Sequence, residues 1–560
     1  VGYKVRIGSS GAVRSTSSGA VASATRPQEA VKSSLVGTNI LAIDYFGPVI
    51  PFVDLMRGAS VWVNTQTFDD AETITADANG YVTALGGGQR VVSYICSANA
   101  NDIADGTIFV YYTGDGASYG SGNDWWFDAQ GGSIAVTSHD TDNKILELDV
   151  TFGQDSGQYL LLYINGIGAG GYLSQIAIVP SGVQTEYLAG ETFHPTFLEG
   201  KYPFKCLRLM NWTQINNSTQ NTWASRMPAT YRCYGGSSWA NATANAPAQM
   251  VPYEVQIELC NKVRADGWFH VPHLAGTAWW SALATLIHTN LDTNLHCYIE
   301  RSNELWNNTF DQVDDDHDAG QTAYPGEPNI YYRGYYYSAN QARLMFDDFE
   351  AVWTGADAAR LHRVFAWQTN TSTVSNNIVE WESLEDQLDH WSIAPYAAGQ
   401  SGGSASKLGT NPQAQTTPVS PHTVITQSMT TDDVFVALEL DLTTNVVGNA
   451  TTIAAMAVKG ITCICYEAGQ HLVGVSGVEN DTVITALFTA VNRDERMEQW
   501  EYDYLTALKD DEGYILVMLF IDYYRPSKYG NWGLKEYQGQ DAADAPKWRG
   551  CRRFIQDNAE

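Results

Sequence analysis

From Tyr202 onward the chain alternates between strand-like and helical patterns. The strand-like runs are 206–211, 268–273, 295–301, 363–368, 391–396, 461–467 and 514–523. Each is short, apolar and bounded by polar or turn-forming residues, the mark of a buried strand. Between them apolar residues recur at helical spacing. Val255, Leu259 and Val263 follow a four-residue step, and Met497, Trp500, Tyr504 and Leu508 follow steps of three or four. An earlier run at 39–44 supplies an eighth strand. Eight such units predict an α/β fold, a closed (β/α)8 TIM barrel.

The texture changes between about 71 and 180. Short alternating runs at 90–96, 107–113, 145–152, 159–164 and 175–179 are separated by Gly, Asn and Asp clusters. That spacing predicts a β-sandwich inserted after the first barrel strand. The expected organisation is an N-terminal arm or docking segment at 1–35, the first barrel strand and helix at 36–70, the inserted sandwich at 71–190 and the rest of the barrel at 191–560. The arm is rich in Ser, Ala and Gly, and suits a flexible segment that meets an assembly partner. Residues 399–420, poor in apolar side chains, follow the sixth strand as a loop at the top of the barrel.

The formal net charge of −30 makes nucleic acid and anionic membranes poor partners. No run of 18 apolar residues is present, so membrane insertion is not expected. The eight cysteines contain no CxxC pair, and several lie in apolar strand runs. They are expected to be buried thiols rather than zinc ligands or disulfides. Neither a metal nor a cofactor is expected.

In such a barrel the active site forms at the C-terminal ends of the strands. Two glutamates stand there. Glu304 ends the run Tyr298-Ile299-Glu300-Arg301-Ser302-Asn303-Glu304-Leu305-Trp306-Asn307, and Glu467 ends Ile461-Thr462-Cys463-Ile464-Cys465-Tyr466-Glu467. A protonated and an ionised carboxyl facing one cleft are the minimal apparatus for breaking a glycosidic bond. Arg208 at the second strand tip and Tyr396 at the sixth are placed to hold Glu467. Asn303 is placed to meet a ring hydroxyl, and Trp532 to floor a sugar. His273 ends the third strand. Asp314-Asp315-Asp316-His317-Asp318 reads as a solvated acidic loop, since it lacks calcium-loop spacing. The run Tyr331-Tyr332-Arg333-Gly334-Tyr335-Tyr336-Tyr337 fits helix packing or a sugar cleft equally.

Arg301-Ser302-Asn303-Glu304-Leu305-Trp306-Asn307 resembles the Asn-Glu signature of bacterial clan A glycoside hydrolases, with Arg301 where Tyr or Phe is usual. The likeness extends to Phe204–Trp212, to Trp268-Phe269-His270-Val271-Pro272-His273 and to Tyr466-Glu467-Ala468-Gly469-Gln470-His471, and spans roughly 36–555. It implies Glu304 as acid/base and Glu467 as nucleophile. It assigns Arg208, His273, Asn303, Tyr396 and Trp532 to substrate-binding and supporting positions. The expected function is retaining, endo-acting hydrolysis of a polysaccharide. The alternative is a non-catalytic glycan-binding or receptor-binding protein of a phage tail or cell-surface assembly. The expected location is extracellular, either secreted or virion-associated.

Overall fold

The computed structural model describes residues 5–7, 13–15, 32–65, 74–97, 105–114, 118–120, 123–152, 158–168, 171–235, 250–369, 371–397, 429–442, 449–474, 478–510 and 512–559. Most of the arm and all of the 399–420 loop lie outside them.

Eight parallel strands close into a barrel, the eighth pairing with the first. In order they are Val36–Asn39, Cys206–Arg208, Asp266–Val271, Cys297–Arg301, Leu361–Ala366, His390–Ile393, Thr462–Ala468 and Val517–Leu519. Cys206, Trp268, Tyr298, Val364, Ile464, Leu516 and Met518 fill the interior, so the barrel is a packed core rather than a pore. Gly37 belongs to the same packing, because a Cβ there would run into the Met518 sulfur and the Cys206 carbonyl. Outside, the helical spacings meet the barrel as expected. Val255, Leu259 and Val263 are buried on helix Tyr253–Val263, and Met497, Trp500, Tyr504 and Leu508 on helix Arg496–Asp510.

The first and eighth strands depart furthest from their expected bounds. The first is Val36–Asn39, not 39–44. Beyond Asn39 the backbone turns to other partners: Ile40 N–H donates to the Arg208 carbonyl (3.1 Å) and Leu41 N–H to Asp522 Oδ1 (2.9 Å). Ile40 and Ile43 still pack in the core, which is why the apolar run overshoots the ladder. The eighth strand likewise ends at Leu519, and Ile521 N–H bonds the Trp532 carbonyl instead (3.2 Å). At the barrel base Lys32 Nζ donates to the carbonyls of Phe204 (2.6 Å) and Val263 (3.1 Å), tying the chain before the first strand. Further upstream Val5–Ile7 pairs antiparallel with Val13–Ser15.

Between the first and second barrel strands lie two four-stranded antiparallel sheets. One contains Ser133–Asp140, Ile145–Thr151, Gly106–Thr113 and Ser174–Pro180, the other Val63–Asn64, Val91–Ser97, Tyr159–Ile164 and Trp125–Ala129. Alternation drives them: along Ile145–Thr151, Leu146, Leu148 and Val150 point inward and are fully buried. Ser133–Asp140 was silent in the sequence because it is an edge strand, exposed along nearly its whole length. Arg232, beyond the second barrel strand, donates to the Ser60 carbonyl (2.8 Å) and Ser93 Oγ (3.1 Å), fastening these sheets to the barrel wall.

All eight cysteines are free and buried. Among the described residues no helix is long and apolar enough to cross a membrane.

Candidate active site

The site starts from backbone geometry at the fourth strand tip. Ser302 and Glu304 both sit in the left-handed region, at φ 62° and 44°. Non-glycine residues there cost about 1 kcal/mol each. The surrounding bonds hold them. Ser302 N–H donates to the Val271 carbonyl (2.8 Å), and Gln312 Nε2 to the Asn303 carbonyl (3.0 Å). Arg301, the departure from the usual motif, is buried and forms a two-point pair with Asp316 (2.6 and 2.8 Å) while donating to the His273 carbonyl (2.9 Å). These contacts orient Glu304 so that it remains partly exposed.

The seventh strand has its own irregularity. Its register to the eighth strand shifts between Cys465 and Ala468, a bulge that lets Glu467 reach Arg208 in the barrel interior although the preceding Tyr466 already faces inward. Tyr466 Oη donates to Glu304 Oε1 (3.1 Å), so the seventh strand reaches across to the fourth. Asn307 Nδ2 donates to Glu304 Oε2 (2.9 Å). Glu467 is 7% exposed and receives Arg208 on Oε1 (3.1 Å) and Tyr396 Oη on Oε2 (2.9 Å).

Arg208 is the hub. Fully buried, it donates through one nitrogen to Glu467 and Asn39 Oδ1 (3.1 Å), and through the other to Asn303 Oδ1 (2.8 Å) and Glu300 Oε2 (3.0 Å). Its guanidinium also lies 5.4 Å from the Trp268 ring and 5.0 Å from that of Tyr466. Asn303 spends its side chain on Arg208 and on Asn216 (3.1 Å), so its place is beneath the site.

Both acids are less acidic than usual. Burial, and then the charge of Glu304, push the Glu467 carboxyl up to about 8 against the pull of Arg208 and Tyr396. Burial also raises Glu304 against the pull of Asn307 and Tyr466. The sequence places the raised acid at Glu304 alone. The structure raises both, with burial the first cause at each. Two carboxyls that interact this way keep one proton between them near neutrality.

The remaining expected residues divide. Trp532 faces Tyr396 at 5.8 Å and His471 at 5.1 Å between ring centres, with its indole N–H on the Tyr529 carbonyl (2.8 Å). His273 stands apart. Its ring bonds Asp315 (2.8 Å), and among the described residues no hydrogen bond joins it to either glutamate. The acidic run is not a solvated loop: it lies within helix Asp311–Ala323, with Asp316 buried on Arg301. The tyrosine run lies on helix Ile330–Glu350, where Tyr335 meets Trp367 and Tyr336 stacks on Trp381 at 3.8 Å. Among the described residues no group of His, Cys, Asp or Glu is arranged to hold a metal.

The sequence reading missed Asn39, Glu300, His270, Trp268, Asn307 and Tyr466. For Glu300 a signal existed. It follows Tyr298 by two residues in one strand, so it shares the inward face, and a carboxylate there needs a partner.

No family model matches the chain, and no curated protein matches it. Solved structures do. A β-glucosidase mutant derived from a hyperthermophilic tetrameric structure is 11% identical, with 65% of this chain and 82% of that one covered and a TM-score of 0.32. A glycoside hydrolase family 5 mannosidase from Rhizomucor miehei, in complex with mannosyl-fructose, is 10% identical, covering 65% and 87% at a TM-score of 0.25. The CBM22-1 and GH10 modules of a Clostridium thermocellum endo-1,4-β-D-xylanase complexed with xylohexaose are 9% identical, covering 92% and 98% at 0.27. At these scores likeness carries no conclusion about activity or substrate. What the structure shows in its own right is the closed (β/α)8 barrel.

Proposed function

We propose that the chain is a retaining glycoside hydrolase acting on a polysaccharide of neutral sugars. The observation that carries this reading is the pair of coupled carboxyls at the fourth and seventh strand tips, each held by separate donors and both pushed up by burial. In the singly protonated pair, the form with the proton on Glu304 keeps Arg208 and Tyr396 donating to an ionised Glu467. Glu467 then attacks the anomeric carbon as the glycosidic C–O bond breaks, and Glu304 gives its proton to the leaving oxygen. In the second step water attacks the same carbon, Glu304 takes its proton, and the glycosyl ester bond to Glu467 breaks. Tyr396 and Trp532 form an aromatic wall beside the nucleophile, suited to the C–H face of a sugar.

The test is to incubate the protein with neutral bacterial and plant-type polysaccharides and follow new reducing ends beside a Glu467→Gln control. Cleavage by the wild type and none by the variant is expected. Equal cleavage by both would remove Glu467 from the mechanism.

A further inference from the structure

We propose that Glu300 is a positioning residue that sets how many protons the Glu304–Glu467 pair holds, by occupying Arg208 from beneath. The proposal deepens the glycosidase reading and rests on its assignment of the reacting pair.

Glu300 is 2% exposed and lies inside the fourth strand, out of reach of any substrate. Its Oε2 accepts from Trp268 Nε1 (2.9 Å) and Arg208 (3.0 Å), and His270 Nε2 lies 3.0 Å away. Although burial pushes its carboxyl up, Arg208 and His270 hold it below the ordinary range, so it stays ionised. Arg208 therefore faces Glu300 and Glu467 at once, with one positive charge between them.

Among the described residues, Arg208 is the cation that acts on both carboxyls of the pair. The second strand supplies Arg208, the third His270, which burial keeps neutral by lowering it to about 4, and the fourth Glu300. The sixth and seventh strand ends supply Tyr396 and Tyr466, both pushed up by burial, and His471, lowered to about 4. From the first strand comes uncharged Asn39. With Glu300 ionised, Arg208 cannot neutralise Glu467 as well, and full ionisation of the pair would leave three carboxylates, two of them buried, on one cation. One proton stays. That proton is the one the leaving group needs.

Glu300→Gln keeps the shape and an acceptor for Trp268 while freeing Arg208 to serve Glu467. The experiment follows the glutamate carboxyls of the full chain by 13C NMR titration without substrate. Glu304 and Glu467 are assigned from their Gln variants, and thermal unfolding confirms each fold. The expected result is that Glu467 titrates about one pH unit or more lower in Glu300→Gln, and that Glu300→Asp restores the wild-type value. On a cleaved polysaccharide the alkaline limb of kcat/KM should fall by the same amount, a movement that a merely structural loss would not produce.

If Glu300→Gln does not fold, the double variant Arg208→Gln/Glu300→Gln replaces it. Removing both charges together should leave the pair titrating within about half a unit of wild type, while Arg208→Gln alone raises it. A folded Glu300→Gln with unchanged titration, or a double variant titrating like Arg208→Gln, overturns the proposal. The titration needs no turnover. Lack of cleavage with a shifted titration therefore fails the glycosidase reading alone, and cleavage with an unshifted one fails this proposal alone.

Discussion

The two ends of the barrel each carry a buried polar cluster, and they are built differently. At the N-terminal ends of the strands His296, His362 and His390 form a row, with ring nitrogens 2.7 and 3.0 Å apart. Burial lowers His362 to about 3 and His390 to about 4, so the row is neutral. The ion pairs around it reach solvent: Arg363 grips Asp389 through two nitrogens (2.7 and 2.8 Å) and also meets Glu350, whose side chain is 38% exposed, and Lys205 meets Asp266 at 3.0 Å. At the C-terminal ends Arg208 serves Glu300 and Glu467 together, with Glu304 beyond. Burial of polar groups is common to both ends. Two carboxylates closed off from water on one cation are found at one, and that is where a proton can be kept and given away.

The largest break in this symmetry should be in turnover. Glu467→Gln is expected to lower kcat by about 1,000-fold or more, consistent with loss of a covalent nucleophile. Glu304→Gln should slow both steps, with azide rescuing the second on an activated substrate. His362→Leu, at the other end, should leave kcat/KM within about twofold. Initial rates on one cleaved polysaccharide check all three.

Stability should then move in opposite senses. Asp316→Ala strands the buried Arg301, and denaturant unfolding should show a loss of about 3–5 kcal/mol. Glu467→Gln should instead stabilise. The Glu304–Glu467 pair keeps one proton, with the Glu467 carboxyl pushed up to about 8, whereas a free carboxyl titrates near 4.5, so the folded chain binds more protons between those values. Wild-type stability is therefore lost as pH rises through that window, and the variant escapes the loss. Unfolding curves should separate by about 1–3 kcal/mol from pH 6 to pH 9.

The smallest effect belongs to the histidine row. Folded His362 and His390 titrate below the ordinary 6.5, so the unfolded chain binds more protons between about 6.5 and 4. Stability should fall as pH drops through that window. His362→Leu should flatten this acid limb and change little at pH 7.

Much of this architecture was legible in the sequence because period and pattern coincide. Val255, Leu259 and Val263 repeat at helical spacing and are buried as a stripe, and the strand runs alternate with them in barrel order. The rim was partly legible, since Glu304, Glu467, Arg208 and Tyr396 each end an apolar run, and the structure joins Arg208 and Tyr396 to Glu467 as expected. What the sequence hides is backbone detail. Apolar Ile40 and Ile43 mask the end of the first strand at Asn39, and no residue announces the bulge that brings Glu467 inward beside Tyr466. His273 ends the expected strand run, but its ring is used on Asp315, a partner visible only once the helix at 311–323 is in place.

The claim that Glu304 and Glu467 act as a retaining pair is tested most directly by 1H NMR of the first-formed product anomer in a cleavage reaction run in D2O. The sugar released at the new reducing end should carry the anomeric configuration of the bond that was cut, before mutarotation mixes it. First release of the opposite anomer would place water, not Glu467, on the anomeric carbon and contradict the account.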